Sequence, residues 1–332
     1  MIRVINNSLN PYFNLALEEY LLKEIDLRDD IFMLWQNRPA IIVGRYQNTW
    51  DEVNHTFVKE NEIAVVRRLT GGGAVYHDLG NLNFTFITRG QKTGHYDFAS
   101  FARPVVSALQ TLGVAAEFAG RNDILVDGKK VSGNAQYRSG DSVLHHGTLL
   151  FNSEIDNLMR ALQVSSEKFA SKGVASVRSR VANIKDYLPE PLDIEDFKAA
   201  LVQAIFQAED GPNREYNLSA ADLARVEELV KTKYGTWEWN YGASPGYELR
   251  KWGRFAWGKV ELLLDLKDGL INSCRIYGDF FGEKDISQLE RYLVNLPLEE
   301  EALRQAFDKI DLSDYINGLD SDSLIKLMLD QE

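Results

Sequence analysis

A single cysteine in 332 residues, Cys274, leaves nothing to form a disulfide within the chain and excludes a zinc cluster built on cysteines. Long apolar runs are also missing. No stretch approaches the roughly 18 uninterrupted apolar residues of a membrane-spanning helix. The opening "MIRVINNSLNPYFN" lacks the apolar run of a signal peptide. Positive charge is in deficit: 37 Lys+Arg against 49 Asp+Glu leave a net charge of −12, which argues against a general nucleic-acid binder. A small anionic ligand is not excluded, because a few local cations suffice for it. Repeats and low-complexity tracts are absent. These gaps predict a soluble, cytoplasmic protein with neither a nucleic-acid nor a membrane partner.

What remains is ordinary globular material, 45% hydrophobic and 26% charged, enough for one large domain or two. "SLNPYFNLALEEYLLKEI" reads as a helix with Asn10 as N-cap and Pro11 in the first turn. Strands are expected at 31–36 and 40–45, and β-type runs flank the stretch "VVRRLTGGGAVYHDLGNLNFTFI" at 65–87. "YDFASFARPVVSALQTLGV" is helical, with an interruption expected at Pro104. Asp127-Gly128 marks a hairpin, and helices are expected at 154–163, 193–208 and 219–233. After a Gly- and Trp-rich stretch, a strand–turn–strand and three helices close the chain. A boundary between 245 and 246 divides it into domains 1–245 and 246–332. The second carries −7 and the first −5, so the larger domain is the better place for an anion site.

Gly71, Gly72 and Gly73 stand between two β-type runs. One or two glycines would serve a tight turn; three suggest backbone brought close to something, with N–H groups able to cradle an anion. The phosphate-loop pattern fails, since a strand follows and no Gly-Lys-Ser/Thr ending is present. Arg67 and Arg68 precede the glycines and suit a carboxylate or phosphate. Neighbours on a strand face opposite ways, so at most one meets a ligand, and the other is expected on the surface or in an ion pair.

"RRLTGGGAVYHDLGN" resembles the signature of the lipoate–protein ligase A family. "NPYFNLALEEYLL", "VGRYQNTWDEVN", "GRNDILVDGKKVSGNAQYR", "HHGTLLFNSEI" and "KGVASVRSRVANI" resemble further family segments in family order, and "YGDFFGEKDISQLERYL" resembles the accessory C-terminal domain. The resemblance implies an α+β fold. Its large domain is biotin/lipoate ligase-like and similar to class II synthetases, with mixed sheets flanked by helices; a small α+β domain follows. It implies ATP-dependent activation of lipoate to lipoyl-AMP, with release of pyrophosphate. Transfer then goes to a lysine of lipoyl-carrier domains, of 2-oxoacid dehydrogenase E2 subunits or of glycine cleavage H protein. The glycines would lie against the adenylate, with Arg68 facing the anion and Thr70, Ala74, Val75, Tyr76 and Asn81 completing that wall.

The resemblance also assigns the second constellation, "DGKKVSGNAQ". Joining a carboxylate to an α-phosphate brings two anions together, and a fixed cation stabilises the charge that develops. Lys129 and Lys130 both qualify by chemistry; the family pattern selects Lys130 as catalytic, with Ala135 nearby. Asp123 suits Mg²⁺, which favours carboxylate and phosphate oxygens. His145 and His146 face opposite ways on a strand and make a poor metal pair. The family pattern places His146 near the acyl group and Thr148 further along. His77-Asp78 reads as structural, Trp35 and Val43 as able to line an apolar tunnel, and Lys168, Lys172, Arg178 and Arg180 as part of a loop over the adenylate. An octanoyltransferase of the same fold is the alternative. It needs a cysteine nucleophile in the large domain, where none exists.

Overall fold

The computed structural model describes residues 1–90, 97–162, 180–207, 214–242, 249–267 and 269–329. They form two compact units. The first takes Met1–Val43, Thr49–Leu69 and Ala74–Asn240; the second takes Gly44–Asn48, Thr70–Gly73 and Tyr241–Glu332. The boundary expected at 245/246 falls among residues outside the described set.

Along the first unit run strands β1 (Ile2–Ile5), β2 (Ile31–Trp35), β3 (Ala40–Val43), β4 (Ala64–Arg67), β5 (Val75–His77), β6 (Asn81–Thr88), β7 (Ala116–Ala119), β8 (Asp123–Val126), β9 (Lys129–Ser139), β10 (Ser142–Leu150) and β11 (Arg214–Asn217). Eight of them form one mixed sheet in the order β11-β1-β2-β6-β10-β9-β8-β7, and β4-β3-β5 form a smaller one. In the large sheet the β11-β1-β2 end is parallel and the other pairings are antiparallel; in the small one β3 runs parallel to β4 and antiparallel to β5.

Strand alternation divides the large sheet into two faces. Phe32, Leu34, Leu82, Phe84 and Phe86 turn to one side, where they pack with helices α2 (Phe98–Thr111) and α3 (Ile194–Gln207). Ile31, Met33, Trp35, Ile87 and Leu144 turn to the other, against α1 (Pro11–Lys23), the small sheet and Val226 and Leu229 of α4 (Ala220–Leu229). The first turn of α1 forms as its sequence dictates: the Asn10 side chain accepts from the Tyr12 N–H at 3.0 Å, and Pro11 needs no acceptor there. Helix α2 runs unbroken through Pro104, contrary to expectation. Its buried stripe of Phe98, Ala102, Val105, Ala108 and Leu109 outweighs the one lost backbone hydrogen bond.

In the second unit, β12 (Leu249–Phe255), β13 (Gly258–Lys267) and β14 (Leu270–Gly278) form an antiparallel meander. It shares one apolar core with α5 (Ile286–Leu293), α6 (Glu300–Phe307) and α7 (Ser321–Leu329). Two short segments from earlier in the chain complete this unit. Tyr46 stacks on Phe280 at 4.8 Å, its carbonyl accepts from the Gly278 N–H, and Arg45 pairs with Asp285 at 2.9 Å.

Candidate functional site

One face of the large sheet changes character along its length. Beside the apolar patch under α1, it presents Asn81, Asn83 and Thr85 from β6, His146 and Thr148 from β10, and Gly133 and Ala135 from β9, paired rung by rung. Polar side chains on an inward sheet face cost free energy unless they are paired, and here they are paired chiefly with one another. The Trp35 indole N–H donates to Thr85 Oγ1 at 2.9 Å. Thr85 in turn donates to the Glu18 carboxylate at 2.6 Å, which also accepts from His146 Nδ1 at 2.9 Å. The Gly133 N–H donates to Thr148 Oγ1 at 3.2 Å. Asn81 donates to Asn83 at 2.9 Å, and its own Oδ1 is buried without a hydrogen-bond partner.

Lys130 joins this face through an irregularity. Leu125 pairs with Lys130 and Asp123 with Gly133, so β9 carries one residue more than β8 between those rungs. This bulge turns Lys130 to the same side as Gly133 and Asp123. Its Nζ lies 2.8 Å from Asp123 Oδ1, with both side chains about a third exposed. A Cβ on Gly133 would stand 2.9 Å from that Nζ, so glycine keeps the lysine's path open.

Both arginines of the signature are buried. Arg67, expected on the surface or in an ion pair, is not on the surface; it donates to the Trp239 and Asn240 carbonyls and to Thr49 Oγ1 at 2.7 to 3.2 Å. A planar guanidinium with five donors satisfies several carbonyls at once, which explains the difference. Arg68 donates to the Ile42 carbonyl at 3.0 Å. Burial draws its pKa down to about 10, with Glu18 opposing the shift and Arg67 adding to it. Val75 and Tyr76 lie on β5, paired with Ile42 and Ile41.

The two histidines of "HHGT" face opposite ways, as expected: His146 meets Glu18, and His145 lies on the far face between Asn134 and Gln136. Asp78 is structural, accepting from the N–H groups of Gly80 at 2.9 Å and Glu154 at 2.8 Å. His77 is neutral. Burial pushes its pKa to about 3, helped by the charge of Arg68 and by His146. Its Nδ1 lies 3.0 Å from the Asn37 amide, and Nε2 is buried without a partner.

Thr70–Gly73 belong to the second unit, and the three glycines there have three different surroundings. A Cβ on Gly71 would fall 2.0 Å from the Phe280 carbonyl oxygen. Gly72 holds φ at +91°, and its N–H donates to that same carbonyl. A Cβ on Gly73 would meet nothing within 4 Å. Of the basic loop, Lys168, Lys172 and Arg178 lie outside the described residues. Among the described residues no cluster of three His, Cys, Asp or Glu is arranged for a metal, and no helix is long and apolar enough to cross a membrane.

Two family descriptions match the chain: the lipoyl protein ligase A/B catalytic domain over residues 10–206, and the bacterial lipoate protein ligase C-terminus over 244–328. The chain belongs to the lipoate–protein ligase family. It is 43% identical over 330 residues to the lipoate-protein ligase LplJ of Bacillus subtilis, covering 99% of this chain and all of that one. It is 45% identical over 323 residues to lipoate–protein ligase 1 of Staphylococcus aureus, covering 97% and 98%. Among solved structures, P. falciparum LipL1 in complex with lipoate superposes with a TM-score of 0.79 at 27% identity, covering 99% of both chains. The bipartite lipoate protein ligase of Thermoplasma acidophilum, described with its E2 lipoyl domain, gives 0.66 at 30% identity over 75% of this chain and 98% of that one. A lipoate-protein ligase A bound with ATP gives 0.63 at 29% identity over 73% and 98%. The family's α+β architecture is therefore the one described above. Glu18 escaped the sequence reading: "LALEEYLL" reads as an amphipathic helix, and nothing local marks one of its two acids as buried beside a histidine 128 positions away.

Proposed function

We propose that the chain is an ATP-dependent lipoate–protein ligase, which activates lipoate to lipoyl-AMP with release of pyrophosphate. It then transfers the acyl group to a lysine of a lipoyl-carrier domain, an E2 subunit or glycine cleavage H protein, in the cytoplasm. The observation that carries this reading is Lys130, about a third exposed on a polar sheet face beside Asp123, its path kept open by the missing side chain of Gly133. Its ammonium would stabilise the charge that builds as carboxylate approaches α-phosphate. Arg68, with Thr70 to Ala74 and the β5 residues Val75 and Tyr76, would hold the adenylate. Asn81, Ala135, His146 and Thr148 would line the neighbouring acyl and nucleotide positions. Asp123 offers Mg²⁺ one carboxylate, which fits an ion that takes its remaining oxygens from phosphates and water. That ion would neutralise phosphate charge. We assign the chemistry to residues 1–245 and an accessory role to 246–332.

The octanoyltransferase reading requires a thiolate beside the acyl group. Cys274 is 5% exposed inside the second unit's core, and burial, with Glu290 beside it, pushes its thiol well up. The experiment is pyrophosphate release and carrier acylation by wild type, Lys130→Ala and Cys274→Ser, with and without ATP. Release should need both ATP and lipoate, fall by several orders of magnitude in Lys130→Ala, and persist in Cys274→Ser. Carrier acylation without ATP, lost in Cys274→Ser, would replace this reading with the thioester one.

A further inference from the structure

We propose that Asn134 is a positioning residue for Lys130, acting from the opposite face of the sheet by holding the β9 bulge in register; this rests on the role given to Lys130 above. In an unbroken strand, Lys130 and Gly133 are an odd number of residues apart and would point to opposite faces. The lysine reaches Asp123 only because Val131 and Ser132 together take the place of one residue opposite Ile124. Such a bulge leaves the ladder interrupted, and something else must fix it.

That fixture is a clasp between Asn134 and Asn122, the residue before Asp123. The Asn134 backbone N–H donates to the Asn122 carbonyl at 2.8 Å, and its side-chain amide donates to the same carbonyl at 3.1 Å and to Ser132 Oγ at 3.3 Å. The Asn122 amide donates back to the Asn134 carbonyl. Below the bulge, the Lys130 N–H donates to the Arg180 carbonyl at 2.7 Å, and the Lys130 carbonyl accepts from Ala182 at 3.0 Å. The lysine's backbone is thus tied on both sides.

The amide of Asn134 is itself oriented. Its Oδ1 is 3.1 Å from His145 Nε2, and His145 Nδ1 is 2.9 Å from the Gln136 amide, which also donates to the Asp97 carbonyl at the start of α2. An amide nitrogen can only donate, so Nδ1 accepts and Nε2 carries the hydrogen that Asn134 Oδ1 receives. His145 is fully buried and neutral, which keeps this direction fixed. Space is reserved for the group as well: a Cβ on Gly147 would stand 2.6 Å from Asn134 Oδ1. Two glycines on paired strands therefore clear opposite faces, Gly133 for the lysine and Gly147 for the Phe84 ring together with the amide of the residue that places the lysine.

The test compares wild type with Asn134→Ala and with Asn134→Asp, which keeps the shape but sets an acceptor against the Asn122 carbonyl. Pyrophosphate release gives kcat and KM, and amine labelling read by mass spectrometry reports Lys130 beside Lys129. Displacing a reacting group by about an ångström costs up to roughly 100-fold in rate, so kcat should fall on that order with KM for ATP and lipoate little changed. Labelling of Lys130 should change several-fold while Lys129 stays as in wild type. Wild-type kcat in Asn134→Ala, or a fall in kcat with Lys130 labelling unchanged, would overturn the proposal. If both variants fail to fold, Asn134→Ser, which retains a hydroxyl donor, carries the same measurements. Wild type lacking ATP- and lipoate-dependent release would sink the functional reading alone, since the labelling still reports on the bulge.

Discussion

At the scale of single residues, the glycine run separates two demands that its sequence merges. Gly71 is glycine because the Phe280 carbonyl occupies the place of its side chain; Gly73 faces open space. Gly71→Ala should therefore destabilise the second unit by about 1–3 kcal/mol, as overpacking does, through a clash with backbone that cannot rotate away. Gly73→Ala should leave the melting temperature unchanged and weaken calorimetric binding of lipoyl-AMP, because a methyl group there can only obstruct what approaches from outside. Equal melting temperatures for the two variants would refute the distinction. Residue by residue, local chemistry narrowed the candidates to Lys129 or Lys130 and to Asp123, and the family resemblance singled out Lys130, His146 and Thr148; these and Asp123 lie on or beside one polar sheet face. Glu18 and Asn134 were not singled out, and the burial of Arg67 was not foreseen. What defines those three is a partner distant in sequence or on the opposite sheet face, and no single-residue chemistry announces that.

At the scale of elements, helix α4 shows how a cap can join three elements. Ser219 and Asp222 form a capping box at its start, and Asp222 also accepts from the hydroxyls of Tyr20 on α1 and Tyr216 on β11. Burial alone would raise the Asp222 pKa, but hydrogen bonds from Tyr20, Tyr216 and Ser219 prevail and hold it at about 2, below the ordinary 3.8. A depressed folded-state pKa contributes stability that is complete above the unfolded value and is lost as pH falls from about 4 toward 2. Urea midpoints measured across that window should fall more steeply for wild type than for Asp222→Asn, which should also be less stable at neutral pH. Parallel curves would remove Asp222 from the account. Elements with local signals were read correctly: Asp127 and Gly128, both at positive φ, make the hairpin their dipeptide announces. The bulge in β9 and the passage of α2 through Pro104 were not legible. Each is settled by what packs on the other side, namely the Asn122–Asn134 clasp for one and a five-residue apolar stripe for the other.

At the scale of the whole molecule, the chain passes between its two units five times, because Gly44–Asn48 and Thr70–Gly73 are lent to the second unit from within the first. Sequence composition pointed to a shift near residue 245, but not to these loans, since four or five residues leave no compositional trace. A protease cut within 243–248 would therefore nick the molecule without parting it. The larger fragment would still own Tyr46 and Arg45, which the smaller one needs to cover Phe280 and to pair with Asp285. Fragments 1–245 and 246–332, expressed separately, should find each other and copurify, and Tyr46→Ala should weaken that association by about tenfold or more, the worth of a buried aromatic stack. Fragments that stay apart on gel filtration would show that the loans carry no binding energy. If they reassemble, the ligase can be divided into two genes and reconstituted on demand, with the splint already encoded in the first of them.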